Sequence, residues 1–387
     1  MLRFQPIAER LAAREHRVFV ALRDLTQAHR LFQNPTVQFL QAPVKLRSSP
    51  DRFDFPSTLP HILSNMAFGN VDELCALARA WRTLFDWTNP DVIVFDHSPT
   101  ALLAARSCSA KRALIGAGFC CPAACQRFPD WRPWQNNDPQ QLQRDEEGVL
   151  ENANRVLKTF SWPTLARLSD LYREVDETLL TTFAELDPFR NREPAHYWGV
   201  WAPDVGESPV WPAGAGPRCF AYLRASPSLP AVLDTLAALR LPAAIYCPDV
   251  HPRLRERFSG SSLRFSSQPI DVRQAARDCD VAILNATLNT TATMLLAGKP
   301  VLLFPLQLEQ RLTAERVAAI GAGRFLLPHQ AADLRTTVQE VLGAARYAEA
   351  AREFARKYAE FAPERQIERA TQRLLQLSAA HASPARL

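Results

Sequence analysis

The stretch ILNATLNTTATMLLAGKPVLLFPLQLEQRLTAERVAAIGAG (283–323) decides the fold. It opens inside the apolar run DVAILNA (280–286), crosses a helical pattern at 290–297, returns in the apolar run KPVLLFP (299–305) and closes on a helical pattern at 308–321. Short apolar runs that alternate with helices imply a parallel sheet, because the chain must cross back over the sheet before the next strand can pair. Three runs further upstream extend the series: CFAYLRA (219–225), AAIYCPD (243–249) and SLRFSSQ (262–268), with helical patterns at 228–239 and 271–277.

The N-terminal half repeats the alternation. RFQPIAERLAAR (3–14) puts Phe4, Ile7, Ala8, Leu11 and Ala12 on one helical face, and HRVFVAL (16–22) follows as a β-rich run. A helical stretch at 71–87 leads into DVIVFDH (91–97), and TALLAARSCSA leads into RALIGAGF (112–119). A long helix is expected over about 145–174, then a strand in DETLLTTF (176–183). In open parallel sheets ligands lie beyond the carboxyl ends of the strands, which singles out Asp96. The Pro- and Gly-rich segment up to Pro217 has the composition of a linker. The expected division is therefore a first domain 1–197, a linker 198–217, a second domain with closing helices 218–378, and a flexible tail 379–387.

Composition narrows the function classes. With 387 residues, 47% hydrophobic, 45 Lys+Arg against 40 Asp+Glu and a net charge of +5, the chain is neither disordered nor fibrous. The basic residues are dispersed, so neither a nucleic acid nor an anionic membrane is the expected partner. No apolar run reaches 18 residues and the N-terminus is amphipathic, so no transmembrane segment is expected and the expected location is cytoplasmic. Cys120, Cys121 and Cys125 lack a second half at zinc spacing, so no metal site is expected. The 13 glycines stand against about 27 at ~7% usage, which disfavours a glycine-rich phosphate loop.

The quoted stretch resembles the donor-binding segment of the UDP-glycosyltransferase family, whose usual form is H-G-G-x-G-T-x-x-E, then G-x-P, then P-x-x-x-E/D-Q, a helix and G-x-G. RDLTQAHRLF and PDVIVFDHSPTALLAAR (90–106) also look like the N-terminal domain of bacterial members. The resemblance implies an α/β protein of GT-B fold: two Rossmann-like domains with parallel sheets facing a central cleft, and C-terminal helices. It implies an inverting glycosyltransferase that moves a hexose from a UDP-linked donor to a hydroxyl of an acceptor. The partners would be a small-molecule nucleotide sugar, bound as substrate, and a hydroxyl-bearing acceptor, with no separate cofactor. The alternative is a degenerate member that kept the fold as a binding or partner protein.

The resemblance also distributes roles. Asp96 stands where the family's Asp orients a catalytic His, and that His, with its strand and Gly-His turn, would lie immediately before Met1. The N-terminal sheet is thus expected to lack its central strand, and His97 is the substitute to weigh as base. Glu15 replaces the Gly that usually precedes the structural His16. On the donor side the family's His and three glycines are gone. Asn285, Thr287, Asn289, Thr290 and Thr291 remain as donors to a diphosphate, with Ala286 poorly suited to positive φ. Thr293 takes the position of the ribose-binding Glu. Glu309 and Gln310 keep the pair that would bind the transferred sugar, although a Glu at a helix N-terminus is also favoured by the dipole alone. Ser266 to Gln268 fall near the expected base site. Phe128, Trp131, Trp134 and Trp162 would line an acceptor cleft or pack a loop.

Overall fold

The computed structural model describes residues 3–26, 28–201, 206–327, 330 and 333–382. The chain forms two units. Unit 1 holds the residues up to Thr181, Phe189–Trp198 and those from Glu364 onward; unit 2 holds Thr182–Pro188 and Gly199–Pro363.

Unit 1 carries β1 (Phe19–Leu22), β2 (Gln38–Gln41), β3 (Val92–Phe95), β4 (Lys111–Gly116) and β5 (Glu177–Leu180). β1 pairs β2 and, separately, β3 pairs β4 and β4 pairs β5, all parallel. Among the described residues no pairing joins β1 to β3, so five strands make sheets of two and three. The helix Gln5–Ala13 buries Ile7, Ala8 and Ala12, and its Ala8 and Ala12 join a cluster with Val20, Leu22, Phe32 and Val37. The helix Val71–Thr88 shows how sequence sets an element. The Asn70 side chain accepts hydrogen bonds from the Asp72 and Glu73 amides, both at 3.0 Å. Leu74, Ala78, Trp81 and Phe85 recur on the buried face, and left-handed Asn89 (φ 43°) ends the run just ahead of β3.

Unit 2 carries β6 (Cys219–Tyr222), β7 (Ala243–Tyr246), β8 (Leu263–Ser266), β9 (Val281–Leu284), β10 (Val301–Leu303) and β11 (Gly323–Phe325). They form one six-stranded parallel sheet in the order β11-β10-β9-β6-β7-β8. β9 is buried along its whole length because it has a neighbour on each side, β6 and β10.

Several elements differ from expectation. The helix read over 145–174 spans Pro139–Thr159; Ser161 then turns left-handed (φ 56°), Pro163 follows, and only Asp170–Arg173 is helical again. β2 and β11 were not expected. The second domain does not run to 378: from Glu364 the last helix, Pro363–Ala382, belongs to unit 1, where both Glu368 oxygens accept from Arg14 (2.7 and 2.8 Å) and Arg373 pairs with Glu177. That helix also takes up 379–382 of the expected tail, and 383–387 lie outside the described residues. Among the described residues no helix is long and apolar enough to cross a membrane.

Candidate functional site

Two turns at strand carboxyl ends carry the residues singled out by sequence, one in each unit. In unit 1, Asp96 and His97 follow β3 directly. His97 is left-handed (φ 46°), so the chain leaves the strand immediately after Asp96 and the strict alternation of faces ends there. Asp96 meets Arg3: guanidinium Nη1 lies 3.4 Å from its Oδ1, with side-chain exposures of 20% for Arg3 and 19% for Asp96. The same Nη1 lies 3.9 Å from Cys120 Sγ. Burial pushes the Asp96 carboxyl above the usual carboxylate range, and the positive charge of Arg3 pulls it part of the way back. Burial pushes His97 down, and Arg3 adds to that shift, so its imidazole is held neutral. His97 Nδ1 is buried with no hydrogen-bond partner, and the ring lies 6.2 Å from Phe119. Phe119 stacks on Trp131 at 5.0 Å, and Trp131, at 4% exposure, is a packed ring rather than an open wall; Trp134 is exposed.

In unit 2 the turn after β9 keeps a left-handed residue without glycine: Ala286 has φ 60°. Thr287, extended at φ −64° and ψ 130°, is the N-cap of the helix Leu288–Leu296, and its side chain caps nothing. The first amide to bond backwards is Thr291, to the Thr287 carbonyl at 3.0 Å. The amides of Leu288, Asn289 and Thr290 precede it at the positive end of the helix dipole, which is the arrangement that binds anions.

The side chains divide. Thr287 is exposed and Asn289 partly so, and both are available to a ligand; Thr290 is 8% exposed. Asn285 is not available as expected. Its Oδ1 accepts from the Arg224 amide at 2.6 Å and its Nδ2 donates to the Phe304 carbonyl at 2.8 Å, so it ties together the chain beyond β6, β9 and β10. Thr291 is fully buried with an unpartnered Oγ1 and faces the interior, because its place on the helix turns it away from solvent. Thr293 donates to the Asn289 carbonyl at 2.8 Å, one turn back. Gln310 accepts from the Leu306 amide at 2.7 Å, which orients it at the start of the helix Leu308–Ala319; Glu309, in that helix's first turn, is partly exposed. A groove of about 610 Å³ opens beside β8, lined in part by Arg255, Arg264, Phe265, Ser266 and Ser267.

One acid–base pair escaped the sequence reading. His61 Nε2 lies 2.9 Å from Asp145 Oδ2, and its Nδ1 accepts from the Ser57 amide at 3.1 Å. Both ring nitrogens are committed, and the ring stacks on Phe53 at 3.9 Å, so the pair braces a loop and has no lone pair to offer a substrate. Nothing in the sequence joins two residues 84 positions apart. The eight cysteines are free thiols, and among the described residues no cluster of His, Cys, Asp or Glu could hold a metal.

Comparison with known proteins follows the same lines. No family model matches the chain. A PGL/p-HBAD biosynthesis glycosyltransferase of Mycobacterium tuberculosis (strain ATCC 25177 / H37Ra) is 25% identical over 322 residues, covering 77% of this chain and 73% of the relative. Among solved structures, the calicheamicin glycosyltransferase CalG4 superposes with a TM-score of 0.71 at 17% identity, over 99% of this chain and 96% of that one. The glycotransferase of kitacinnamycin gives 0.67 at 18% identity, over 96% and 95%. The glycosyltransferase VinC, in complex with DTDP, gives 0.66 at 13% identity, over 98% and 96%. The fold is that of GT-B proteins, as the resemblance implied.

Proposed function

We propose that this chain, GT-B in fold and UDP-glycosyltransferase-like in sequence, transfers a hexose from a UDP- or dTDP-linked donor to a hydroxyl of an acceptor, with inversion at the anomeric carbon. The observation that carries this reading is the turn after β9. Ala286 takes the left-handed conformation that its position requires, and the amides of Leu288, Asn289 and Thr290 are left at a helix N-terminus for a diphosphate. Thr287, Asn289 and Thr290 add side-chain donors, and Glu309 with Gln310 would hold hydroxyls of the sugar. Asn285 supports the turn instead of touching the ligand. The mycobacterial relative bears the name of a glycosyltransferase and VinC was solved with DTDP, which supports a nucleotide-sugar donor.

In the proposed reaction Asp96 accepts the proton of the acceptor hydroxyl, with neutral His97 beside it as the second acceptor to be tested. The acceptor oxygen bonds to the anomeric carbon as the bond to the diphosphate breaks, and the diphosphate leaves with that electron pair. Helix amides and loop donors stabilise the departing charge. Thr293 in place of a carboxylate loses a charge-assisted hydrogen bond to the ribose, a change typically worth about 1.5–3 kcal/mol, so donor affinity should be modest.

A second reading, binding without transfer, is favoured by one observation. The charged group beside Asp96 is Arg3, and a guanidinium cannot take a proton. Diphosphate release from UDP-glucose and dTDP-glucose, measured over a panel of phenol and alcohol acceptors, separates the two. Transfer that falls at least about 100-fold in Asp96→Asn, with nucleotide affinity unchanged, is the expected result. An undiminished rate removes Asp96 from the mechanism.

A further inference from the structure

We propose that Arg3 is the positioning residue of the acceptor-activating carboxylate, its guanidinium fixing Oδ1 of Asp96 so that the second oxygen is left to take the acceptor's proton. The inference rests on the role given to Asp96 above. It was not visible in the sequence, where the two residues stand 93 positions apart.

The surroundings of the pair favour this assignment. Arg3 stands two residues ahead of the helix Gln5–Ala13, at the carboxyl end of β3, and reaches both Asp96 and Cys120 with one nitrogen. Gly116, at the end of β4, keeps this space open: a Cβ there would lie 2.9 Å from Cys120 Cβ, 3.3 Å from Cys121 Sγ and 3.7 Å from Arg3 Nη1. The chain's amino group adds a smaller pull in the same direction as Arg3, and the thiol, phenol and imidazole around the carboxylate are neutral. Burial, reinforced by Cys120 and Asp96, holds the Cys121 thiol protonated. Burial does the same for the Tyr172 phenol, whose hydroxyl has no hydrogen-bond partner. His97 is neutral as described, and a further cation, Arg192, acts on Cys121 and donates to the Cys121 carbonyl at 2.9 Å. Among the described residues Arg3 is thus the charged group within hydrogen-bond range of Asp96. A single partly exposed contact of this length contributes little to stability, so its consequence lies in orienting Asp96 and keeping it ionised.

The sign of the effect follows. Removing the positive charge raises the proton affinity of Asp96, so the acid limb of kcat/KM moves to higher pH. In the full-length chain, Arg3→Gln should move that limb up by about one pH unit, equivalent to a tenfold change in proton affinity. The rate on the plateau should fall only severalfold through lost orientation. Arg3→Lys, which keeps the charge, should restore the limb to its original position while leaving the plateau reduced. Arg3→Met is the second charge-free variant should the Gln variant fail to fold. A limb that superposes on the parent's in both charge-free variants overturns the proposal, as does a uniform loss at every pH, which marks a structural role.

A readout independent of turnover separates this proposal from the reading beneath it. With Asp-selective carboxyl ¹³C labelling and Asp96→Asn to identify the resonance, the Asp96 midpoint should rise by about one unit in Arg3→Gln. If the parent transfers no sugar, the proposed function fails, and the proposal about Arg3 fails with it as a statement about catalysis. If Asp96→Asn abolishes transfer but the midpoint does not move in Arg3→Gln, the function stands and Arg3 alone is refuted.

Discussion

β9 and β3 are both four-residue apolar strands, VAIL and VIVF, each followed by a polar residue and a left-handed non-glycine turn, yet only β9 is buried throughout. Val92, Ile93 and Val94 of β3 are partly exposed. Composition does not explain the difference, but pairing does: β9 lies between β6 and β10, whereas among the described residues β3 pairs only with β4. In unit 2 the first strand, β6, is the one that joins β7 to β9; in unit 1 no described strand joins β1 to β3 in the same way. The turn after β9 is therefore fixed from both sides, with Asn285 bonded to backbone beyond both neighbours. The turn after β3 is fixed by a side chain, Arg3, and by packing on Phe119.

The largest expected effect that can break this comparison is a pair of core truncations. Ile283→Ala in β9, at 1% exposure, should cost about 2–5 kcal/mol, because transfer free energy is lost and a cavity remains. Ile93→Ala in β3 should cost about 1 kcal/mol, since its partly exposed surroundings can fill with water. Urea unfolding followed separately in each unit measures both, and equal costs would show that the open edge of β3 is not what sets its burial. A smaller effect tests the strained turns. Ala286→Gly and Glu15→Gly should each stabilise by about 0.5–1 kcal/mol, as relief of left-handed strain outweighs the added freedom of the unfolded chain. A loss of stability in either would mean that neighbouring contacts require the side chain.

The left-handed turns explain how a chain with 13 glycines retains glycine-type turns. Eight described non-glycine residues have φ between 43° and 94°, among them Glu15 and Ala286, both at positions where the resembling family has glycine. The low glycine count pointed away from a left-handed turn after β9, but Ala286 takes that conformation at a cost of about 1–2 kcal/mol.

Legibility followed physics in the same way. β6, β7, β9 and β10 were readable because each is a continuous apolar run buried along nearly its whole length. β2, reading QFLQ with exposed ends, and the three-residue β11, which begins with glycine, carry too little pattern to be found. The 145–174 pattern continued past its true end because one left-handed serine breaks a helix without disturbing hydrophobic periodicity. At the candidate site, strand ends located Asp96 and the turn after β9. Sequence could not tell that Asn285 would spend both polar atoms on backbone or that Thr291 would face inward, since amide and hydroxyl groups serve ligands and frameworks equally well. Arg3 and His61 were missed because their partners come from distant segments.

The central claim is that the turn after β9 still holds a nucleoside diphosphate. Calorimetric titration of the full chain with UDP and dTDP, with GDP as control, tests it most directly. Saturable binding of one pyrimidine diphosphate per chain, tighter than millimolar and at least tenfold stronger than GDP, is the expected result. A folded protein that gives no binding heat with any of the three at millimolar concentration would contradict it and leave the second reading, a fold kept without its donor.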